Sequence, residues 1–356
     1  MLLSPLARAR VKVARTLADA IRSSKGISSR LLGFRARPVE GCTVDPDVAL
    51  MLALDDVLKS SDLRGFAPPV ARARMAESVC MVEIPRLEGV SVAEERLRGD
   101  AGPIPARRYV PEGLAAPSPC VVFYHGGGFV TGDLDTHDTF CRQLAVEGRV
   151  RVIAVDYRLA PEHRFPAAVD DAVAAFRDVA ARAADFGIDP ARMAVMGDSA
   201  GGNLSAVVSL KTRGEAYRPA LQVLVYPALD ATCAHRSHAV YANGWMLTKR
   251  MLDWYHEHYF GPDPAVRRHP DASPLLAPSV EGAPPALVFT AGFDPLRDEG
   301  AAYVERLTAA GIPARAVCHE SMIHGFVLMG GAAPACREET SRIIREASAA
   351  LRNGFS

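Results

Sequence analysis

The chain has 356 residues, 49% hydrophobic and 23% charged, a composition that excludes a disordered, collagenous or coiled-coil plan. Its 41 basic and 41 acidic residues cancel, so no chain-wide positive field is available to nucleic acid. No run of ~18 apolar residues exists to span a bilayer, and at ~150 residues per unit the length fits one α/β domain with a cap as well as two smaller domains.

The first segment is basic: residues 1–39 hold nine Lys or Arg side chains and one acid, Asp19. Leu6, Val13, Leu17 and Ile21 recur on one helical face, which predicts an amphipathic helix packed on the main domain. Contact with a membrane surface is the alternative reading of the same segment. Arginines interrupt it before an apolar signal core can form, so no secretory leader is expected. Pro68 and Pro69 mark a linker. Extended runs are expected at 80–84, 90–97 and 104–110, with Gly and Pro turns between them. From residue 120 onward strands alternate with helices. The strands are placed at 120–124, 150–155, 193–196, 221–226, 286–290 and 314–318. The helices fall at 166–186, 203–211, 298–310 and 337–351. This alternation predicts a parallel sheet covered on both faces.

Residues 231–285 break the alternation and contain both tryptophans of the chain. An insertion of this length should form a lid or cap. A helix at its centre places Met251, Trp254, Tyr255 and His258 on one face. The seven cysteines are widely spaced and form no CxxC pair, which suits a reducing cytoplasm better than a disulfide framework. His256 and His258 point to nearly opposite faces of a helix, so they make a poor metal pair.

The strongest chemical signal is Gly197-Asp198-Ser199-Ala200-Gly201. It follows an apolar strand and opens a helix, the context in which G-x-S-x-G projects a serine Oγ above a sheet. The bland reading is a glycine-rich βα turn. The second signal is His125-Gly126-Gly127-Gly128, also at a strand end, where bare backbone N–H groups can hold an oxyanion. The competing reading, a phosphate loop, has no GxGxxG or Gly-Lys to support it. A triad on such a fold runs serine, acid, histidine. Asp294 directly follows the strand at 286–290, whereas Asp298 and Glu299 better start the next helix. His324 follows the last strand, and His319 is still within it. Asp156, Arg158, Glu162 and His163 could pass for a second acid/base set but read as loop-pinning groups. Trp245, Met246, Leu247, Trp254 and Tyr255 are expected to form an apolar lid over an acyl pocket. Asp198 is included among the substrate-side residues and is assigned no step.

HGGGF at 125–129, DYRLAPEHRFPAAVDD at 156–171, GDSAGGN at 197–203, GFDPLRDEG at 292–300 and HGF at 324–326 together resemble the hormone-sensitive-lipase-like esterases. That is bacterial family IV of the α/β-hydrolase superfamily. The resemblance covers about residues 80–350 and implies an eight-stranded, mostly parallel sheet with helices on both faces and a helical cap. It implies cap helices at 1–70, a hydrolase domain at 71–230 and 281–356, and a cap insertion at 231–280. It implies carboxylesterase action on short-to-medium acyl esters by Ser199, Asp294 and His324. The oxyanion donors it implies are Gly127, Gly128 and Ala200, with Gly126 as shaping residue or substitute. No cofactor and no metal are expected, and the partner is a small ester. A homodimer through the strand around Cys318 and its adjoining helix is allowed. The rival readings are a ligand receptor or lyase on the same fold, or a membrane-associated lipase.

Overall fold

The computed structural model describes residues 38–58 and 62–355. The basic helix expected within residues 1–37 therefore lies outside the described residues. The order of elements is α1 (Pro46–Leu58), α2 (Pro68–Val82), β1 (Val90–Leu97), β2 (Ile104–Pro111), β3 (Ser118–Tyr124), α3 (Asp138–Gly148), β4 (Arg151–Val155) and α4 (Ala167–Ala181). There follow β5 (Ile188–Asp198), α5 (Ala200–Thr212), β6 (Leu221–Val225), α6 (Arg236–Val240), α7 (Lys249–Phe260), β7 (Ala286–Phe293), α8 (Arg297–Ala309), β8 (Ala314–Ile323) and α9 (Pro334–Asn353).

The eight strands form one sheet in the order β1-β2-β4-β3-β5-β6-β7-β8. β2 runs antiparallel to both its neighbours, and the pairs from β4 to β8 are parallel. β3, β4, β6 and β7 are buried along their whole length, as strands covered on both faces must be. Alternate residues feed opposite layers. Val122, Ile153 and Val195 pack with Leu204 and Val207 of α5 on one face. Val121, Phe123 and Met196 pack with Phe140 of α3 and Ile343 and Ile344 of α9 on the other.

Two expectations are corrected at the start of the chain. Residues 80–82 are the last turn of α2, not the start of a strand, although Cys-Met-Val is a β-like run. Short apolar runs are ambiguous in period, and here Met75, Val79 and Val82 recur at helical spacing along the cavity described below. Pro68 and Pro69 are not a linker. They occupy the first turn of α2, where a missing N–H costs nothing. The expected domain boundary at 70/71 consequently falls inside a helix.

The insertion divides into two parts. α7 lies over the C-terminal ends of the strands, capped by the Thr248 hydroxyl, which accepts from Met251 N at 3.2 Å. Residues 269–280 return to the hydrolase core. Asn203 Nδ2 donates to Ala272 O at 2.9 Å, and Leu275, Ala277 and Val280 pack against α5, β6 and α8. α1 is capped by Asp45, whose carboxylate accepts from Asp47 N and Val48 N at 2.9 and 3.2 Å.

Candidate active site

Ser199 sits between β5 and α5 with φ 55° and ψ −117°, a backbone state that costs energy in any residue bearing a Cβ. Its N–H donates to Val225 O at 2.8 Å, and its carbonyl accepts from Ala228 N at 3.2 Å. The flanking glycines have a steric cause: a Cβ on Gly201 would stand 1.8 Å from Tyr124 O, and one on Gly197 would stand 2.3 Å from the Gly201 carbonyl carbon. Strand and helix can pack this closely only without side chains at both positions.

The acid arrives from the end of β7 and the histidine from the end of β8. His324 Nε2 lies 2.9 Å from Ser199 Oγ, and its Nδ1 lies 2.7 Å from Asp294 Oδ2. Asp294 is fully buried, and its Oδ1 accepts from Leu296 N at 2.9 Å. Gly292 permits the approach of β7 to β8 on which this contact depends; a Cβ there would be 2.0 Å from Glu320 O. The nearby titratable groups are engaged elsewhere. Asp298 accepts from Ser237 N at 2.9 Å and Arg297 Nε at 3.0 Å. Glu299 accepts from Leu229 N and Asp230 N, and His319 faces Glu339 at 2.6 Å. Asp294→Asn should therefore lower kcat by about 10⁴-fold through loss of the correct imidazole tautomer. Asp298→Asn should stay within about threefold, since surface-side contacts of this kind are worth little. Steady-state kinetics on one activated ester checks both; equal losses would contradict the assignment.

Residues 125–129 form the second wall. Gly127, Gly128 and Phe129 follow one another with φ 115°, 60° and 62°. Gly126 donates its N–H to Asp198 Oδ1 at 2.8 Å, so that group holds the loop and is not free to meet a substrate oxygen. Ala200 N is the first amide of α5 and has no intrahelical partner. The loop is braced from the cap: a Cβ on Gly128 would fall 2.3 Å from the Tyr255 ring, and Phe129 stacks on Tyr259 at 4.0 Å. From α2, Arg72 reaches Val130 O and Ala160 O at 2.8 and 2.9 Å and pairs with Glu162. Arg158 grips Asp171 through two 2.8 Å contacts, a loop-pinning pair remote from proton transfer.

Beneath the loop lies a polar network that the sequence does not announce. Asp198 is buried and faces His137 Nε2 at 3.3 Å. Burial alone would raise its pKa, but His137 and the Gly126 N–H outweigh that and hold the carboxyl below the usual aspartate range. Tyr226 donates to Asp198 Oδ2 at 3.5 Å, and its ring packs 4.6 Å from that of His324. His125 stacks on Tyr157 at 4.3 Å; burial, reinforced by His137, pushes its pKa down to about 4. Asp198 thus ties the 125–129 loop to the ring that supports the histidine.

Ser199 and His324 open onto a cavity of about 440 Å³. Met246, Leu247, Tyr255 and Asp198 line it. Trp245 and Trp254 are not among its lining residues. Trp245 packs on Phe293 at 4.6 Å, and Trp254 packs behind Tyr255 and His258 at 5.1 and 4.5 Å. Their bulk supports the wall from behind because α7 turns Met251, Leu252 and Tyr255 inward. The lining that sequence reasoning missed comes from α1 and α2: Leu50, Met51, Leu54, Met75 and Val79. Their helical spacing was the available signal. Among the described residues no group of three or more His, Cys, Asp or Glu side chains could hold a metal ion.

A family profile described as the alpha/beta hydrolase fold matches residues 121–328. The carboxylic ester hydrolase LipN of Mycobacterium tuberculosis is 44% identical over 86% of this chain and 84% of its own. The ethyl acetate hydrolase of Pseudomonas putida is 36% identical over 81% of this chain and 93% of its own. Among solved structures, an ester-hydrolase from the metagenome of Lake Arreo, complexed with a derivative of bipyridine phosphonate, superimposes with a TM-score of 0.81. It is 40% identical and covers 87% of this chain and 98% of its own.

Proposed function

From the premise that the chain belongs to the hormone-sensitive-lipase-like family of α/β-hydrolase carboxylic ester hydrolases, we propose that Ser199, His324 and Asp294 carry its reaction. The observation that supports this is the unbroken relay from Asp294 through His324 to Ser199, opening on an apolar cavity. Ser199 Oγ attacks the ester carbonyl carbon while His324 Nε2 takes its proton. The carbonyl π electrons move to oxygen, and the oxyanion is held by the N–H groups of Gly127, Gly128 and Ala200. Collapse expels the alcohol, which receives the proton from His324. Water, deprotonated by His324, then attacks the acyl-enzyme, and the acid leaves with Ser199 restored. Asp294 keeps the imidazole in the required tautomer and stabilises the imidazolium.

The substrate class is esters of short-to-medium acyl chains. A cavity of about 440 Å³, walled by methionine, leucine and tyrosine, suits such a group. Hydrolysis of p-nitrophenyl esters from acetate to palmitate, with Ser199→Ala in parallel, tests this. Serine-dependent turnover should peak at short or medium chains; a peak at palmitate would move the assignment to a lipase, and serine-independent turnover would remove it. The cap consists of α1, α2 and α7. The reducing cytoplasm is the proposed setting, and none of the seven cysteines is in a disulfide. Among the described residues no helix is long and apolar enough to cross a membrane. A homodimer would form along β8, the edge strand of the sheet, where Arg315, Ala316 and Cys318 are exposed.

A further inference from the structure

The wall of the catalytic cavity is rich in thioethers. Met51, Met75, Met81, Met246, Met251 and Met329 all line it, six of the ten methionines in the chain. They converge from α1, α2, the turn before α7, α7 itself and the segment after β8. Met75 and Met251 pack with one apolar layer of the core, whereas Met51, Met246 and Met329 pack with the other. The wall reaches the reacting centre through Met329: a Cβ on Gly325, the residue after His324, would stand 3.2 Å from its terminal methyl carbon. Met51, Met75 and Met246 are half-buried, and Met251 and Met329 are 9% and 8% exposed. The remaining methionines among the described residues, Met193, Met196 and Met322, are sealed in the core at 1%, 0% and 1%.

We propose that these methionines are a modification site for hydrogen peroxide, and that their oxidation to sulfoxides turns the enzyme away from longer acyl esters; the acyl part of this rests on the function proposed above. The unbranched thioether is polarisable and turns about three bonds, so a wall built of it follows acyl chains of different shape. Its sulfur also carries a lone pair open to oxidation. The opening that admits an ester admits hydrogen peroxide. The sulfur lone pair attacks one peroxide oxygen; the S–O bond forms and the O–O bond breaks. Hydroxide leaves and takes the proton of the new S–OH group, giving sulfoxide and water. Sulfur is oxidised by two electrons and the peroxide is reduced. The S=O oxygen is a strong hydrogen-bond acceptor that holds water in a largely apolar cavity. A long acyl chain then loses apolar contact and must displace that water, whereas an acetyl group uses little of the wall. The relay from Asp294 through His324 to Ser199 contains no thioether and stays in place.

Graded doses of hydrogen peroxide on the native protein test this. Peptide mass spectrometry gives an oxidation rate for each methionine, and p-nitrophenyl acetate and octanoate give the kinetics. The cavity methionines should oxidise about tenfold faster than Met193, Met196 and Met322. At the dose that oxidises them, kcat/KM for octanoate should fall about tenfold, mostly through KM, with acetate held within about threefold. Methionine sulfoxide reductases with dithiothreitol should restore octanoate turnover, and dithiothreitol alone should not, which separates the thioethers from the seven thiols. Equal oxidation of core and cavity methionines, parallel loss of acetate and octanoate turnover, or recovery with dithiothreitol alone would overturn the proposal, and none of these comparisons needs a variant. Met51→Leu, Met75→Leu, Met81→Leu, Met246→Leu, Met251→Leu and Met329→Leu combined keep the volume of the wall and remove the oxidisable sulfur. Such a variant, folded well enough to turn over acetate, should keep its octanoate turnover under peroxide; an equal loss would also overturn the proposal. Serine dependence is read without peroxide and oxidation masses without ester, so failure of the esterase reading is distinguishable from failure of this one.

Discussion

Ser199→Ala should lower kcat by about 10⁴–10⁶-fold and leave the fold intact. The substitution removes only Oγ. The strained backbone at φ 55° already accommodates a Cβ, so alanine adds no new steric burden. What is lost is the atom that His324 Nε2 approaches at 2.9 Å, and with it the covalent route. Residual turnover would come from the loop amides and the cavity, which still bind and polarise an ester. Near-identical circular dichroism and melting temperature, beside the kinetic loss, would separate chemistry from stability. Activity within tenfold of wild type would remove Ser199 from the mechanism. His324→Ala should be comparably damaging, because serine and histidine act as a unit and their effects do not add.

Gly127→Ala should cost about 10²–10³-fold in kcat, with a smaller change in KM. Gly127 has φ 115°, a region that L side chains rarely adopt, and a Cβ there would stand 2.2 Å from Thr131 O. That carbonyl cannot simply yield, since Thr131 N and Val130 N both donate back to Gly127 O at 2.9 and 3.1 Å. The turn must therefore shift, and its N–H groups move off the position an oxyanion would occupy. Displacements of a few tenths of an ångström matter there because the donors act through fixed geometry. Gly214→Ala is the matched control: it is exposed, and a Cβ meets nothing within 4 Å. Stopped-flow or steady-state kinetics on a p-nitrophenyl ester compares the two. A Gly127→Ala enzyme as active as Gly214→Ala would mean that the loop does not stabilise the transition state.

The alternation of buried strands and helices is legible in the chain because parallel strands covered on both faces are near-continuous apolar runs, as Val121 to Tyr124 are and as Leu221 to Val225 are apart from the buried Gln222. Ser199, Asp294 and His324 are legible as candidates because each directly follows a strand of the sheet, in the order serine, acid, histidine. Other features depend on contacts between distant segments. At the end of α2 the β-like run Cys80-Met81-Val82 competes with the helical spacing of Met75, Val79 and Val82, and the cavity that these residues line, built largely by other elements, favours the helix. His137, at the start of α3, carries no signal in its own neighbourhood, since its partner Asp198 lies at the end of β5. Trp245 and Trp254 are conspicuous by size, but which face of the insertion turns inward is decided by how α7 lands on Gly128 and Phe129. Gly292 is one more glycine until β8 is placed against it.

The most direct measurement is covalent trapping with a p-nitrophenyl alkylphosphonate. Ser199 Oγ attacks phosphorus and p-nitrophenol leaves, so the adduct marks the nucleophile and halts at a tetrahedral mimic of the intermediate. The account predicts one equivalent of p-nitrophenol released per chain, complete loss of esterase activity, and an adduct confined to the peptide containing Ser199. In Ser199→Ala both the burst and the adduct should vanish. An adduct on another residue, or full inactivation of esterase activity without modification of Ser199, would contradict it.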